Sequence, residues 1–253
     1  MEQKKGETLL EVFAARPKRF WLLDRGLRRC GGGPKTKILE IGCAYGDASF
    51  YMANRYGCQV TGVDISEDTL AVAQDRWEKE KGPANLRFCK QDAEALDLEK
   101  ESFDLIVSEA AFSPIPQKEK VARNDFQVLR PGGRVLLNDF AIQYKVEQAK
   151  REELAFIPCF AGVSTMEDYQ QIFLQQGFGV EYAKEEYGEL ISLTSWICRS
   201  YGISQDKIGG YFSRYLRENS KAPQPAACTL PKDSRESFLS KAKMTYCQMI
   251  FCK

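Results

Sequence analysis

Three carboxylates stand at the ends of short apolar runs in the first half of the chain. Glu40 interrupts Ile38-Leu39-Glu40-Ile41 just before Gly42-Cys43-Ala44-Tyr45-Gly46. Asp64 closes the run from Gln59, and Asp92 follows the run from Leu86 to Cys89. An acid at the end of a strand can accept both hydroxyls of a ribose, and one at Asp92 can accept from an exocyclic amino group. The glycines beside Glu40 let the backbone bend sharply and approach a ligand. This turn is neither of the two common phosphate cradles. A P-loop ends in Gly-Lys-Ser/Thr, whereas Tyr45-Gly46-Asp47 stands here. A dinucleotide fingerprint is G-x-G-x-x-G, and Ala44 and Asp47 replace its second and third glycines. Negative charge at Glu40 and Asp47 suits a cationic ligand end better than a pyrophosphate. The chain has no histidine, which removes the commonest general base and metal ligand. Chemistry must then run on carboxylates, Tyr, Lys, Cys or a cofactor, and no metal site is expected.

The elements that carry these residues alternate in type. Strands are expected at 37–41, 59–64, 86–89, 103–108 and 134–139, and helices at 47–55, 67–81 and 118–129. Ser66 is placed to cap the second of these helices, and Gly82-Pro83 to stop it. Pro131-Gly132-Gly133 is read as the turn into the fifth strand. Strand–helix alternation demands a parallel sheet with right-handed crossovers, and the near-continuous apolar strands fit a sheet covered on both faces. Ahead of them, Glu7–Leu27 reads as helix broken at Pro17. After them, Phe140–Val163 is aromatic and irregular. Ser164-Thr165-Met166-Glu167 is a capping box opening a helix to Gln176, followed by a strand at 179–185. Residues 190–219 read as two helical pieces, 220–237 as a linker, and Met244–Cys252 as a last strand.

Bulk properties exclude several classes. A length of 253 residues fits one domain. The net charge of +1 gives no pull toward nucleic acid or anionic membrane, and the Arg/Lys-rich stretch 16–37 is read as a solvated helix face. No run approaches the ~18 apolar residues of a membrane span. Met1-Glu2-Gln3-Lys4-Lys5 lacks a signal-peptide core, so the expected location is cytoplasmic. Nine cysteines, odd in number and without a C-x-x-C pair, read as reduced, mostly buried thiols. Cys247 and Cys252 fall on opposite faces of any strand.

Taken together, ILEIGCAYG, VDIS, QDAEAL, FDLIVSEAAF and VLRPGGRVLLNDF resemble the motifs of class I S-adenosylmethionine-dependent methyltransferases. The resemblance covers about Lys35 to Asp139. It implies an α/β, Rossmann-like sandwich with a mostly parallel seven-stranded sheet, helices on both faces and the last strand antiparallel. It also implies one domain over 1–253: a helical flank at 1–34, a cofactor-binding core at 35–139, segments 140–188 and 244–253 completing the sheet, and a helical insertion or lid at 189–243. The cofactor would be S-adenosylmethionine and the product S-adenosylhomocysteine. Glu40 and the backbone from Gly42 through Cys43 and Ala44 to Gly46 would face the methionine end. Asp64 would take the ribose diol, Ile65 would pack on adenine, and Asp92 with Ala93 would read the adenine edge. Ser108 and Glu109 would line the floor under the sulfonium. Methyl transfer from a sulfonium is an in-line displacement that needs alignment more than acid–base help, so the lack of histidine is no objection. Where a base is required, Glu109, Tyr144 and Asp139 are the candidates.

The chain reads Ser108-Glu109-Ala110-Ala111-Phe112 where DNA-amino methyltransferases carry Asn/Asp-Pro-Pro-aromatic. This favours a small-molecule acceptor, in a branch similar to ubiquinone/menaquinone- and sterol-type enzymes. Phe156–Phe160 is expected as a pocket wall. The aromatics Trp196, Tyr201, Tyr211, Phe212 and Tyr215 are expected in the lid, more as core than as substrate box. Monomer and homodimer both fit. Three other readings stay open: a non-catalytic S-adenosylmethionine-binding partner protein, an arsenite-type enzyme using Cys159 and Cys198, and an NAD-dependent oxidoreductase.

Overall fold

The structure is a computed structural model and describes residues 15–145, 162–202, 204 and 243–253. In chain order its elements are α1 (Trp21–Arg29), β1 (Lys37–Ile41), α2 (Asp47–Tyr56), β2 (Gln59–Asp64), α3 (Glu67–Lys79), β3 (Leu86–Lys90) and a single 3-10 turn at Ala93–Ala95. These are followed by β4 (Phe103–Glu109), α4 (Lys118–Val128), β5 (Leu129–Ile142), α5 (Met166–Leu174), β6 (Gly179–Glu185), α6 (Tyr187–Tyr201) and β7 (Met244–Cys252).

The seven strands form one sheet in the order β3-β2-β1-β4-β5-β7-β6. β7 is antiparallel to both its neighbours, and the other adjacent pairs are parallel. The expected architecture is therefore present, including the antiparallel last strand. Apolar residues cover both faces. On one, α4 and α5 contribute Val121, Ala122, Tyr169 and Phe173; on the other, α1 and α2 contribute Leu23, Leu27, Phe50 and Met52. Alternation along β7 sends Cys247, Met249 and Phe251 to the first layer and Ile250 to the second, as strand periodicity requires.

Local signals explain most boundaries. Ser66 Oγ accepts from the Thr69 N–H at 3.3 Å and starts α3. Thr165 Oγ1 accepts from the Asp168 N–H at 3.1 Å and starts α5, while Ser164 donates to the Asp168 carboxylate at 2.7 Å. Most ends fall within one or two residues of expectation, and three elements differ more. After the Pro17 break, α1 runs from Trp21 past Leu27 to Arg29; the part of the expected helix before residue 15 lies outside the described residues. β5 starts at Leu129 and runs on to Ile142. Its pairing jumps from Phe103↔Leu129 to Leu105↔Arg134, so Pro131-Gly132-Gly133 is looped out as a bulge inside a strand rather than forming a turn before one. α6 begins at Tyr187. The expected pocket wall Phe156–Phe160, the linker 220–237 and the aromatics Tyr211, Phe212 and Tyr215 lie outside the described residues.

The basic stretch near the N-terminus is not a plain solvated face. Arg16 pairs with Glu189, Arg25 with Glu186, and Arg19 with Asp47 at 3.2 Å. Arg16 is only 9% exposed. Two of these pairs clamp α6 onto α1 and the segment before it. Among the described residues, no helix is long and apolar enough to cross a membrane.

Candidate functional site

Open α/β sheets bind ligands beyond the carboxyl ends of their strands, where crossovers diverge to opposite faces. Here β1 leads to β2 on one side and β4 lies on its other side. A cleft of about 380 Å³ opens at that point. Its walls are the start of the glycine turn (Ile41, Gly42), the end of β2 (Val63 to Ile65), the segment Gln91–Glu94, and the loop after β4.

The glycine turn is pinned to β2. Gly42 and Cys43 donate their N–H groups to Val63 O at 2.8 and 3.0 Å. The Ala44 N–H donates to Asp64 Oδ2 at 2.9 Å, and the Ser66 N–H to Asp64 Oδ1 at 2.9 Å. Asp64 thus organises both the turn and the entry to α3, and each of its oxygens retains a second lone pair for a ligand. Gly42 has φ +70°, and a Cβ there would lie 2.4 Å from Ala111 Cβ. Gly46 has φ +77°, and its missing Cβ leaves room for the Phe88 ring, which a Cβ would meet at 2.5 Å. The second glycine therefore permits close packing against Phe88 of β3.

Asp92 is exposed and caps the 3-10 turn, accepting from the Glu94 N–H at 2.8 Å. Ala93 is tied to α4 by the Asn124 side-chain amide, which donates to its carbonyl at 2.9 Å. Ile65 lies at the mouth of the cleft with 64% of its surface exposed. Two residues without an expected role close the far wall. Gln117 donates from its backbone and side chain to the two Glu94 oxygens at 3.0 Å each, tying the Pro114–Pro116 loop across the cleft. The only trace of that wall in the sequence is the proline pair after the fourth strand.

Glu40 is buried, and burial pushes its carboxyl up to about 8 although the Ser49 hydroxyl hydrogen-bonds to it. Asp47 is committed to Arg19 and, at 2.5 Å, to Arg76, so it adds less negative charge to the turn than its position suggests. Cys43 is 4% exposed, and burial raises its thiol, which makes it a packing residue. Among the described residues, Cys30, Cys58, Cys89, Cys247 and Cys252 are also free thiols. Cys198 lies on α6, and Cys159 is outside the described residues.

At the end of β4, Ser108 is buried and its hydroxyl has no hydrogen-bond partner among the described residues. Glu109 is part-buried with its carboxyl enclosed. Burial pushes it up to about 8, opposed by the Asn138 amide that hydrogen-bonds to it. Asp139 is fully buried and accepts from the N–H groups of Phe112, Ser113 and Phe140 at 2.8, 2.9 and 2.6 Å. It anchors the loop after β4 instead of facing an acceptor. Tyr144 is 54% exposed, beyond the end of β5, with Lys243 Nζ 5.3 Å from its ring centroid.

The methyltransferase-domain family profile matches residues 33–183, more than half of the chain. Curated relatives include phosphoethanolamine N-methyltransferase 1 of Zea mays, 26% identical over 74% of this chain and 33% of its own length. An arsenite methyltransferase of Aquipseudomonas alcaligenes is 28% identical over 56% of this chain and 44% of its own length. The chain thus spans less than half the length of either relative. Among solved structures, Haemonchus contortus phosphoethanolamine N-methyltransferase 2, in complex with phosphomonomethylethanolamine and S-adenosylhomocysteine, superposes with a TM-score of 0.65 at 19% identity, covering 99% of this chain and 59% of that one. At that identity the likeness shows the fold alone, and none of these three carries a quinone or sterol name. Fold and family profile agree: the chain belongs to the class I S-adenosylmethionine-dependent methyltransferases.

Proposed function

We propose that this chain transfers the methyl group of S-adenosylmethionine to a small-molecule acceptor and releases S-adenosylhomocysteine. The observation that carries the reading is Ile65. A large aliphatic side chain, mostly in water at the mouth of a cleft and flanked by Asp64 and Asp92, gains by being covered with a flat apolar base. The two carboxylates have the acceptor chemistry for the ribose diol and the adenine amino group beside it, and the Ala93 backbone adjoins the adenine edge. At the other end, Glu40 and the turn through Cys43 and Ala44 are set to hold the amino-acid part. An approaching ammonium favours the ionised form of Glu40 against the burial that protonates it. The Ser108 hydroxyl has no hydrogen-bond partner among the described residues and is one polar group such a ligand can satisfy.

When bound, the cofactor would supply a methyl carbon activated for displacement by its sulfonium. The chain's own work is to hold both partners in line and keep water out. For an acceptor that must lose a proton, the Glu109 carboxylate is the first candidate to receive it, because a group poised near neutrality exchanges protons effectively at working pH. Tyr144, at the same end of the sheet, is the second. The names of the relatives suggest the first acceptors to try.

Calorimetry with S-adenosylmethionine, S-adenosylhomocysteine and NAD tests the cofactor. Release of S-adenosylhomocysteine against phosphoethanolamine, arsenite with a thiol, and a quinol precursor tests the acceptor. Binding of NAD without S-adenosylmethionine would sink the proposal. Binding without turnover across the panel would favour the non-catalytic alternative.

A further inference from the structure

Glu109, Asn138 and Gln248 stand side by side on three adjacent strands. Glu109 of β4 is in register with Asn138 of β5, and Asn138 with Gln248 of β7. Asn138 and Gln248 are both fully buried. Two buried amides in a sheet interior are costly unless every polar atom is used. Gln248 Nε2 donates to Leu22 O at 2.8 Å and to Asn138 Oδ1 at 2.9 Å. Gln248 Oε1 accepts from Arg25 Nε at 3.2 Å. Asn138 Nδ2 donates to Glu109 Oε1.

The direction of this line is fixed by chemistry. A carbonyl can only accept, so the Leu22 oxygen selects the nitrogen of Gln248. A guanidinium can only donate, so Arg25 selects the oxygen. With Gln248 held from both ends, its second N–H selects the oxygen of Asn138 and leaves the Asn138 NH2 for Glu109. α1 can reach the line because Gly26 faces the sheet. A Cβ there would meet Leu136 at 2.5 Å and Gln248 Nε2 at 3.0 Å. The far end is anchored too, since Arg25 pairs with Glu186, the residue that precedes α6.

We propose that Asn138 and Gln248 are positioning residues for methyl transfer: with Arg25 they form a one-way line of hydrogen bonds that always presents an N–H, never a carbonyl, to Glu109. The donor orients the Glu109 carboxyl at the end of β4 and favours its ionised form. Among the described residues, Glu40 from β1 and Glu189 from α6 also act on Glu109 and oppose its ionisation, and Arg19 before α1 favours it. The Tyr246 hydroxyl of β7 also interacts with Glu109 and donates to Asn138 O at 3.2 Å. Because Glu186 holds Arg25, the seating of α6 and the state of Glu109 are joined through the same line. The catalytic part of the proposal rests on Glu109 serving as the proton acceptor; the line itself does not.

The test is a carboxyl-carbon NMR titration of the full chain labelled at glutamate, with the Glu109 signal assigned by Glu109→Gln. Gln248→Leu and Arg25→Met are each expected to raise the Glu109 midpoint by about one pH unit, the scale of a hydrogen bond to a charged group. Arg25→Lys, which keeps a charged donor, restores part of the shift. Arg25 is partly exposed at the surface, so Arg25→Met keeps the test alive if Gln248→Leu fails to fold. With any acceptor that is turned over, kcat falls and its pH profile moves with the midpoint, while the Kd for S-adenosylmethionine stays constant. An unmoved Glu109 midpoint in the variants that fold overturns the proposal, as does a loss of cofactor affinity that matches the loss of kcat. Failure of the wild-type chain to bind S-adenosylmethionine would overturn the functional reading instead, and the titration would still report on the line.

Discussion

The Asp64 carboxylate accepts a hydrogen bond from the Ala44 N–H at 2.9 Å, across the gap between β2 and the glycine turn. The residue read as the ribose acceptor is therefore also what holds the turn in shape. Asp64→Ala is expected to weaken S-adenosylmethionine binding by ~1.5–3 kcal/mol, the scale of hydrogen bonds to a charged group. It should also lower the melting temperature of the ligand-free chain, because the Ala44 and Ser66 N–H groups lose their acceptor. Calorimetry and a thermal melt on the same variant separate the two effects. Unchanged affinity would remove Asp64 from the site.

Gly42 and Ala111 face each other across the cleft floor with no space between them. Gly42→Ala places a methyl 2.4 Å from the Ala111 methyl and should destabilise strongly. Adding Ala111→Gly removes the clash and leaves only the strain of a left-handed alanine, roughly 1–2 kcal/mol. Urea denaturation of the single and double variants measures the difference. A double variant no more stable than the single would show that the clash is relieved some other way.

Enclosed carboxyls pushed up by burial, Asp139 among them, make stability depend on pH. Glu40, Glu109 and Asp125 are each pushed up to about 8, with burial the leading cause. Unfolded carboxyls titrate near ~4, so between roughly pH 4 and pH 8 the folded chain holds protons that the unfolded chain has lost. The slope of unfolding free energy with pH is then negative in that window. The stabilisation is full below the unfolded values and is lost as pH rises through about 8. The melting temperature should fall from about pH 5 to about pH 8. Asp125 is 2% exposed, and its Oδ1 has no partner among the described residues, so Asp125→Asn should flatten part of this slope. A melting temperature that rises over the window would contradict the assignment.

Arg16 and Glu189 form a buried pair, with side chains 8% and 6% exposed, and Trp21 Nε1 also donates to Glu189. Removing one partner of a buried pair strands a charge, so Glu189→Gln should cost about 3–5 kcal/mol. Replacing both, as Arg16→Met with Glu189→Leu, should recover most of that loss. Chemical denaturation of the three proteins checks the order, and a double variant weaker than the single would refute it.

Much of the architecture is legible in the sequence, because it depends on local chemistry. Apolar runs ending in Gly42, Asp64 and Glu109 define parallel strands, and Ser66 and Thr165 mark helix starts. Strand–helix alternation implied the parallel sheet and the residue pattern a last strand at Met244–Cys252; its antiparallel direction and the seven-strand count followed from the family resemblance, and all were found in place. Positions along a strand also indicate which residues stand at its carboxyl end, and so place Glu40, Asp64, Asp92 and Glu109 near one another. What the tertiary structure decided is how those groups are spent. Asp139 looked free to act as a base, yet three backbone N–H groups occupy it, and Asp47 is taken by Arg19 and Arg76. Gly46 makes room for Phe88. The basic stretch near the N-terminus became ion pairs with Glu186 and, buried, with Glu189, partners far along the chain that no local pattern reveals. The line from Arg25 through Gln248 and Asn138 to Glu109 draws on α1, β7, β5 and β4. Sequence determines such elements one at a time through short-range propensity; only packing sets their side chains against one another, because register and burial are properties of the assembled sheet.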